Sequence, residues 1–166
     1  MVVIYMKLYI NEKVFSLHDK FYVYDENGNS VYEVSSKFPS YWKKTMLYDM
    51  DGNKLLDIKQ EPLKRPDAYN IYEDGEFALK ISRIPKGFVR EYELSNGYHA
   101  KGINFPLKVE VYNDKDEAIG IIRKRVFSVG DKYETEVFEE RYELMMAAIT
   151  IVIANEINRA NFGRKY

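Results

Sequence analysis

Eleven residues near the C-terminus decide the fold: Leu144-Met145-Met146-Ala147-Ala148-Ile149-Thr150-Ile151-Val152-Ile153-Ala154. This run carries no charge and only one hydroxyl group besides the backbone. A helix of such composition has no polar face, so it must be buried on every side and not only along one stripe. Eleven apolar residues are too few to cross a bilayer, which takes about 20. The run is therefore predicted to be a core helix, with no transmembrane span.

The charges that flank this run match the dipole of a helix. Glu139, Glu140 and Glu143 precede it and Arg159 follows it, and acidic residues are favoured at the start of a helix and basic residues near its end. We therefore predict a helix over residues 140–160. Because the upstream chain is typical of short strands, the surroundings of this helix are predicted to be a β-sheet wrapped around it.

Alternation of apolar and polar residues identifies the strands. Leu56 and Ile58 fall on one face of their segment while Asp57 and Lys59 fall on the other, which is the pattern of a strand with one buried side. About twelve strands are predicted, at 3–10, 21–25, 30–37, 42–49, 54–61, 67–73, 77–84, 87–94, 98–104, 106–113, 118–125 and 132–138.

A tyrosine followed by an acidic, glycine-containing turn recurs along the chain. Tyr24, Tyr48 and Tyr72 are spaced by 24 residues, and a weaker fourth copy begins at Tyr112. Asn-Gly and Asp-Gly pairs follow the first three tyrosines, and these dipeptides supply the positive φ that tight hairpin turns need. Each copy is therefore predicted to be a β-hairpin.

Calcium ligation is the alternative function for these turns. Asp49, Asp51 and Asn53 alternate like the opening of a calcium-binding loop. The glutamate that such a loop needs at its twelfth position is missing, because Gln60 stands there. We therefore predict no metal site.

A closed barrel reconciles the strands with the helix. Eight strands fill their interior with side chains alone, whereas more strands leave room for something else. Tilted eight-residue strands make a wall about 20 Å high, and eleven helical residues rise about 16 Å. The predicted fold class is mainly β: about twelve antiparallel strands closed around a buried hydrophobic C-terminal helix.

Composition limits the classes of protein and partner. The length of 166 residues predicts one domain over 1–166, with 1–5 as an N-terminal extension if Met6 is the true start. A formal net charge of -1 provides no global attraction to nucleic acid or to an acidic membrane. The absence of cysteine excludes disulfides and thiolate chemistry and fits a cytoplasmic location, peripheral at a membrane if lipid is bound.

Several motifs in order resemble the LURP-one-related family, over about residues 6–158. They are Lys7-Leu8-Tyr9-Ile10, Lys13-Val14-Phe15-Ser16 with Asp19-Lys20-Phe21, the Tyr-Asp-x-x-Gly-Asn hairpins, Arg125-Val126-Phe127-Ser128-Val129-Gly130-Asp131-Lys132-Tyr133 and the apolar helix. The chain departs from the family pattern at Leu17-His18, where an aromatic-Gly pair is usual.

The resemblance implies a twelve-stranded barrel around a hydrophobic helix, the architecture also predicted from periodicity. It places the chain near the tubby C-terminal domains and the phospholipid scramblases. Tubby-like domains bind phosphoinositides and scramblases act on lipid membranes, so the resemblance implies a lipid-related role.

The sequence contains no recognisable catalytic motif, although its many carboxylates leave an Asp/Glu pair open as an alternative. His18 and His99 do not form an i, i+4 pair for zinc, and neither a G-x-S-x-G motif nor a P-loop occurs. Both histidines are predicted to lie on turns or strand surfaces. We therefore expect a non-enzymatic protein without a cofactor.

Basic residues form the one constellation that points to a ligand. Arg123-Lys124-Arg125 is the densest cluster, and Lys64-Arg65, Lys43-Lys44 and the series Lys80, Arg83, Lys86 and Arg90 follow. Alternation in a strand puts Arg123 and Arg125 on one face and separates Lys80 from Arg83. The structural interpretation is that these cations lie on the outer wall and discourage edge pairing. The functional interpretation is binding of anionic lipid headgroups, or another phosphate-bearing ligand, by Arg123, Arg125, Lys80 and Arg83.

Two classes of function therefore stand: a lipid-binding module, and a protein-interaction or regulatory scaffold without a lipid role. Binding of single-stranded nucleic acid is a distant third. A contiguous, concave basic patch would favour lipid. Scattered charge with an exposed apolar patch would favour a protein partner.

Overall fold

The computed structural model describes residues 3–11, 20–37, 44–61, 68–125 and 132–163, and side chains up to residue 157. Predictions for Leu17-His18, Lys43 and Lys64-Arg65 lie outside these residues. The strands are β1 (Met6–Asn11), β2 (Lys20–Tyr24), β3 (Ser30–Lys37), β4 (Lys44–Tyr48), β5 (Lys54–Gln60), β6 (Ala68–Glu73), β7 (Glu76–Lys86), β8 (Val89–Leu94), β9 (His99–Asn104), β10 (Leu107–Tyr112), β11 (Ala118–Arg125) and β12 (Lys132–Val137).

The twelve strands form a closed antiparallel barrel. Each strand pairs with its neighbours in the chain, and β1 pairs with β12 to complete the circle. Apolar side chains that alternate along the strands face inward, as Val109 and Val111 do on β10, where both are fully buried. The predicted fold class is confirmed, and the predicted strands match the observed ones to within a few residues.

The predicted C-terminal helix fills the barrel. A 3₁₀ turn at Glu140–Tyr142 leads into α1, which runs from Glu143 to Gly163. Every residue from Met146 to Glu156 is buried, including Ile151 at 0% exposure. From Met146 onward the apolar run is thus enclosed on every side, as its composition predicts.

The tyrosine repeat has a common structural meaning. At Tyr24, Tyr48, Tyr72 and Tyr112 the register of the hairpin shifts, so that the strand after each turn carries one extra residue. These extra residues are Val31, Leu55, Ala78 and Ile119. Each copy is therefore a hairpin with a β-bulge beside its turn, a device that increases the local twist of a barrel wall.

Side chains hydrogen-bond to the backbone of these turns. The Asp49 carboxylate accepts hydrogen bonds from the backbone amides of Asp51 at 3.0 Å and Asn53 at 2.8 Å. Asn113 uses its side-chain oxygen in the same way in the fourth copy. Gly52 has a φ of +87°, the left-handed conformation that favours glycine. The alternating acidic residues thus serve the turn, since Asp49 is already committed to backbone donors.

The helix lies against one side of the barrel. Thr150 on α1 and Thr135 on β12 share a hydrogen bond of 2.7 Å. Gly120 on β11 allows close approach, because a Cβ there would lie 2.4 Å from the Met146 methyl group and 2.6 Å from the Glu136 carbonyl oxygen. Small and hydroxyl side chains therefore draw α1 toward β11 and β12.

Candidate functional site

Arg123 and Arg125 lie together on the outer face of β11, beside carboxylates on the neighbouring strand β12. Arg123 contacts Glu136 at 2.7 Å, and Arg125 contacts Glu134 at 3.3 Å. Both glutamates are buried although they face outward from β12, with exposures of 9% and 6%. The two positive charges are therefore balanced by two negative charges, which lowers the field that this cluster presents to an anion.

Lys80 and Arg83 lie on β7, which three strands separate from β11. Lys80 makes an ion pair of 2.7 Å with Glu61. Arg83 is on the opposite face of the strand and makes an ion pair with Glu156 of α1 inside the barrel. The four residues predicted as one ligand site therefore occupy three separate places, and Lys80 and Arg83 do not share a face.

Glu156 is the centre of a buried polar cluster, which we call the helix clamp: Arg83, Arg90, Tyr92, Asn104 and Glu156. Arg90 Nη1 lies 3.0 Å from Glu156 Oε1, and the Tyr92 hydroxyl donates to Glu156 Oε2 at 2.7 Å. Arg90 Nε donates to the Asn104 side-chain oxygen at 2.6 Å. Two arginines on one buried carboxylate tie the C-terminal half of α1 to β7 and β8.

Burial, followed by the Glu156 charge, raises the pKa of Tyr92 well above its usual range. Burial, followed by the hydrogen bond of 2.6 Å to Glu143, likewise raises the pKa of Tyr32 on β3. Both hydroxyls therefore stay protonated in the folded barrel and donate to carboxylates of the helical segment, one near each end of the barrel.

These two tyrosines predict a loss of stability at alkaline pH. Above about pH 10, the usual tyrosine pKa, the unfolded chain releases protons that Tyr32 and Tyr92 retain in the fold. The stability that these two tyrosines contribute is therefore fully present below about pH 10. Above that pH the free energy of unfolding falls, by at most about 1.4 kcal/mol per pH unit for each tyrosine. Urea unfolding at pH 8 to 11 measures this slope.

Tyr32→Phe and Tyr92→Phe should each flatten the alkaline slope while lowering stability at pH 8. Below pH 9 the variant and parent profiles are expected to run parallel, which is the internal control. A decline above pH 10 that is as steep in the double variant as in the parent would contradict this account.

Two adjacent hairpins end in exposed phenylalanines. Phe88 is 94% exposed in the turn between β7 and β8, and Phe105 is 91% exposed in the turn between β9 and β10. Val89 and Ile103 are cross-strand partners just behind these turns, with exposures of 45% and 49%. We call Phe88, Val89, Ile103 and Phe105 the tip patch. Such large apolar side chains rarely remain in solvent together unless they serve an interaction.

Cations flank the tip patch on both sides in one row across the outer wall. Lys86 pairs with Val89 in the strand register, Ile103 pairs with Lys108, and Lys108 pairs with Arg123. Lys86 makes an ion pair of 3.1 Å with Glu91, and Lys108 lies 3.6 Å from Glu110. The row thus runs from a lysine through two apolar residues to a lysine and Arg123.

Sequence reasoning missed both the helix clamp and the tip patch. In the sequence, Arg83 and Arg90 appear only among the predicted outer-wall cations, and nothing there pairs either of them with Glu156. The sequence does contain a signal for the tip patch. In Gly87-Phe88 and Phe105-Pro106 an aromatic residue lies next to a glycine or proline that is typical of turns. The clamp had no local signal, since 66 residues separate Arg90 from Glu156.

The geometry defines a class of protein: a closed twelve-stranded barrel, filled by its own C-terminal helix, with an apolar patch on its turns. The family model of LURP-one-related proteins matches residues 6–154, and the chain belongs to this family. The predicted resemblance is confirmed.

Relatives agree with this assignment. The chain is 22% identical over 154 residues to the uncharacterized protein YxjI of Bacillus subtilis (strain 168). The alignment covers 89% of this chain and 91% of YxjI. An X-ray structure of a protein from Arabidopsis thaliana superimposes with a TM-score of 0.67 at 16% identity, over 92% of this chain and 91% of that one. That structural similarity shows a shared fold.

No helix in the described part of the chain combines the length and apolar character needed to span a membrane.

Proposed function

We propose that this protein is a non-enzymatic barrel that associates reversibly with anionic lipid surfaces. In this proposal the tip patch enters the membrane interface, and the flanking cations Lys86, Lys108 and Arg123 lie at the level of the headgroups. Arg125, two residues beyond Arg123 on the same face of β11, adds to the same flank. The observation that carries the proposal is the nearly complete exposure of Phe88 and Phe105 on adjacent turns.

Exposed apolar side chains with scattered charge also fit a protein partner. The size of the tip patch and its position on the barrel distinguish a membrane from a protein partner. A stable protein interface buries about 800 Å² on each partner, and four side chains at the ends of hairpins supply only part of that. Reversible membrane association needs less, because it scales with the apolar surface that enters the interface, supplemented by attraction to anionic lipids. The tip patch therefore fits a membrane interface better than a protein partner.

The apolar contribution is expected to exceed the electrostatic one. Full burial of a phenylalanine side chain contributes about 1.5–3 kcal/mol, whereas a cation near an anionic membrane contributes about 1 kcal/mol. Lys86, Lys108 and Arg123 already contact carboxylates of the chain, so each contributes less than that. Binding should therefore depend strongly on the phenylalanines and moderately on salt.

Vesicle co-sedimentation tests the proposal. We expect the protein to pellet with vesicles containing phosphatidylglycerol or a phosphoinositide more than with neutral phosphatidylcholine vesicles. Phe88→Ser/Phe105→Ser should weaken binding to anionic vesicles at least tenfold, because it removes the inserted side chains. Lys108→Gln/Arg123→Gln should weaken it several-fold at low salt, with a smaller effect at physiological salt.

Phe77→Ser is the matched control. Phe77 is also exposed, at 56%, but it lies at the other end of β7 against Tyr72, so its replacement should leave vesicle binding unchanged. Equal pelleting with neutral and anionic vesicles, or unchanged binding by Phe88→Ser/Phe105→Ser, would reject the lipid proposal and favour the protein-interaction scaffold.

A further inference from the structure

The repeat tyrosines of the third and fourth hairpins each have a lysine of the chain over the ring. The ammonium nitrogen of Lys59 lies 4.7 Å from the centre of the Tyr72 ring, and that of Lys101 lies 5.6 Å from the centre of the Tyr112 ring. At such distances, within about 6 Å, the face of an aromatic ring attracts a cation. Two of the four repeat tyrosines therefore bind a cation of the chain on the outer wall.

These two lysines occupy equivalent register positions. Each tyrosine has a directly opposed partner on the preceding strand, Asp57 or His99, and the lysine follows that partner by two residues. In the first hairpin the opposed partner of Tyr24 is Tyr9, so the equivalent position is Asn11. An amide thus replaces the ammonium group, and no cation of the described residues lies over the Tyr24 ring.

A groove opens in the outer wall at this position. Among the strands described, β1 and β2 share the single register pair Tyr9–Tyr24, whereas every other pair of neighbouring strands shares at least four. The groove has a volume of about 380 Å³. Its lining includes Tyr9, Asn11, Tyr24, Asp25, Glu26 and Lys132. Because Asn11 is among them, the position that holds a lysine in the other two hairpins faces this groove.

Glu26 gives the groove a negative charge that the turn does not use. The neighbouring Asp25 carboxylate accepts hydrogen bonds from the backbone amides of Asn27 and Asn29, both at 2.9 Å, and so serves the turn. Glu26 is exposed, and no cation of the described residues pairs with it. The second hairpin has Met50 at the equivalent position, so the turn itself needs no carboxylate there.

The cation among the lining residues, Lys132, lies on the other side of the tyrosine pair from Glu26. The register partner of Lys132 is Asn11, two residues beyond Tyr9 on β1. Glu26 follows Tyr24 in the opposite direction along the wall, because β1 and β2 are antiparallel. The side of the groove that contains Glu26 therefore presents a negative charge beside the Tyr24 ring.

A quaternary ammonium ion fits these features better than a primary one. Each N–H of a primary ammonium group needs a hydrogen-bond acceptor, and one oxygen of Asp25 is already committed to the turn. A quaternary ammonium ion donates no hydrogen bond. It needs only the faces of aromatic rings and a nearby negative charge, which is how aromatic sites recognise choline-type ligands.

We propose that the groove between β1 and β2 binds a small, soluble quaternary ammonium ion of the choline type. Its trimethylammonium group lies against the Tyr24 and Tyr9 rings beside Glu26, in the place that Lys59 and Lys101 take in the other two hairpins. This site goes beyond the proposed membrane association and does not depend on it. In the antiparallel barrel, the turn between β2 and β3 and the tip patch lie at opposite ends.

An NMR titration with choline chloride, followed through the backbone amide shifts, tests the site. We expect saturable shifts at Tyr9, Tyr24 and Glu26. The neutral isostere of choline, 3,3-dimethyl-1-butanol, should bind about tenfold more weakly or worse, because it lacks the charge that the rings attract. Asn11→Lys should abolish choline binding, since it supplies the chain's own ammonium group to the Tyr24 ring. Asn11 is exposed, so this variant should keep the melting temperature of the parent.

Two further variants and a lipid competitor complete the test. Glu26→Gln should weaken choline binding several-fold. Asp51→Asn, which removes a carboxylate from the turn of the second hairpin, should leave choline binding unchanged and is the matched control. Phosphatidylcholine vesicles should not compete with soluble choline. Absence of saturable shifts, equal affinity for the neutral isostere, unchanged choline binding by folded Asn11→Lys, or competition by the vesicles would each overturn the proposal.

Discussion

Ile151→Asp is expected to abolish folding of the barrel. Ile151 is fully buried in the middle of α1, so a carboxylate there has neither water nor a cation as a partner. Burying an unpaired charge costs far more than burying a neutral polar group, and typical domains are stable by only about 5–15 kcal/mol. The variant should show no cooperative thermal transition by circular dichroism.

Ile103→Asp is the matched control for this prediction. It makes the same substitution on the outer wall, where Ile103 is 49% exposed, and it should keep a cooperative transition within a few degrees of the parent. A soluble Ile151→Asp protein with an unchanged melting temperature would contradict the enclosure of α1.

Glu156→Leu should destabilise the folded barrel by about 3–5 kcal/mol, the usual effect of removing one partner of a buried ion pair. It would leave Arg83 and Arg90 without their carboxylate and the Tyr92 hydroxyl without its acceptor. Urea unfolding at pH 7 measures the change as a shift in midpoint at constant slope.

Glu139→Leu provides the comparison, because its ion pair with Arg141 is exposed and such pairs contribute about 0–1 kcal/mol. Arg83→Met/Arg90→Met/Glu156→Leu should recover most of the lost stability, since an apolar set of similar volume often replaces a buried ion cluster without loss. If Glu156→Leu costs no more than Glu139→Leu, the clamp does not hold the helix.

Local sequence rules identify charged residues but not their partners in the fold. In the sequence, charge alone points to Arg123, Arg125, Lys80 and Arg83 as ligand residues. In the barrel these cations are paired with carboxylates that are close only in space, such as Glu156 for Arg83. The exposed phenylalanines lie in turns. In a sequence, turn residues are read as connections between strands and not as parts of a binding surface.

The internal tyrosine repeat marks both hairpins and β-bulges, but only the hairpins are predicted from the sequence. Tyr24, Tyr48 and Tyr72 were correctly predicted to mark hairpins, because the dipeptides that follow them favour positive φ. Their bulges were not predicted, since a bulge depends on how two strands pair and not on one strand alone. Only the paired strands reveal that Ala78 is equivalent to Leu55 and Val31.

By itself, the sequence determined the architecture. An eleven-residue run without a polar face requires burial on every side, and period-two alternation over twelve segments requires a sheet with one apolar face; a barrel around a helix meets both requirements. Tertiary structure alone decided which charges are neutralised and which aromatic side chains stay in solvent. The physical reason is distance along the chain. Hydrophobic periodicity is set by near neighbours in the sequence, whereas an ion pair such as Arg90–Glu156 depends on a strand and a helix that meet only when the barrel closes.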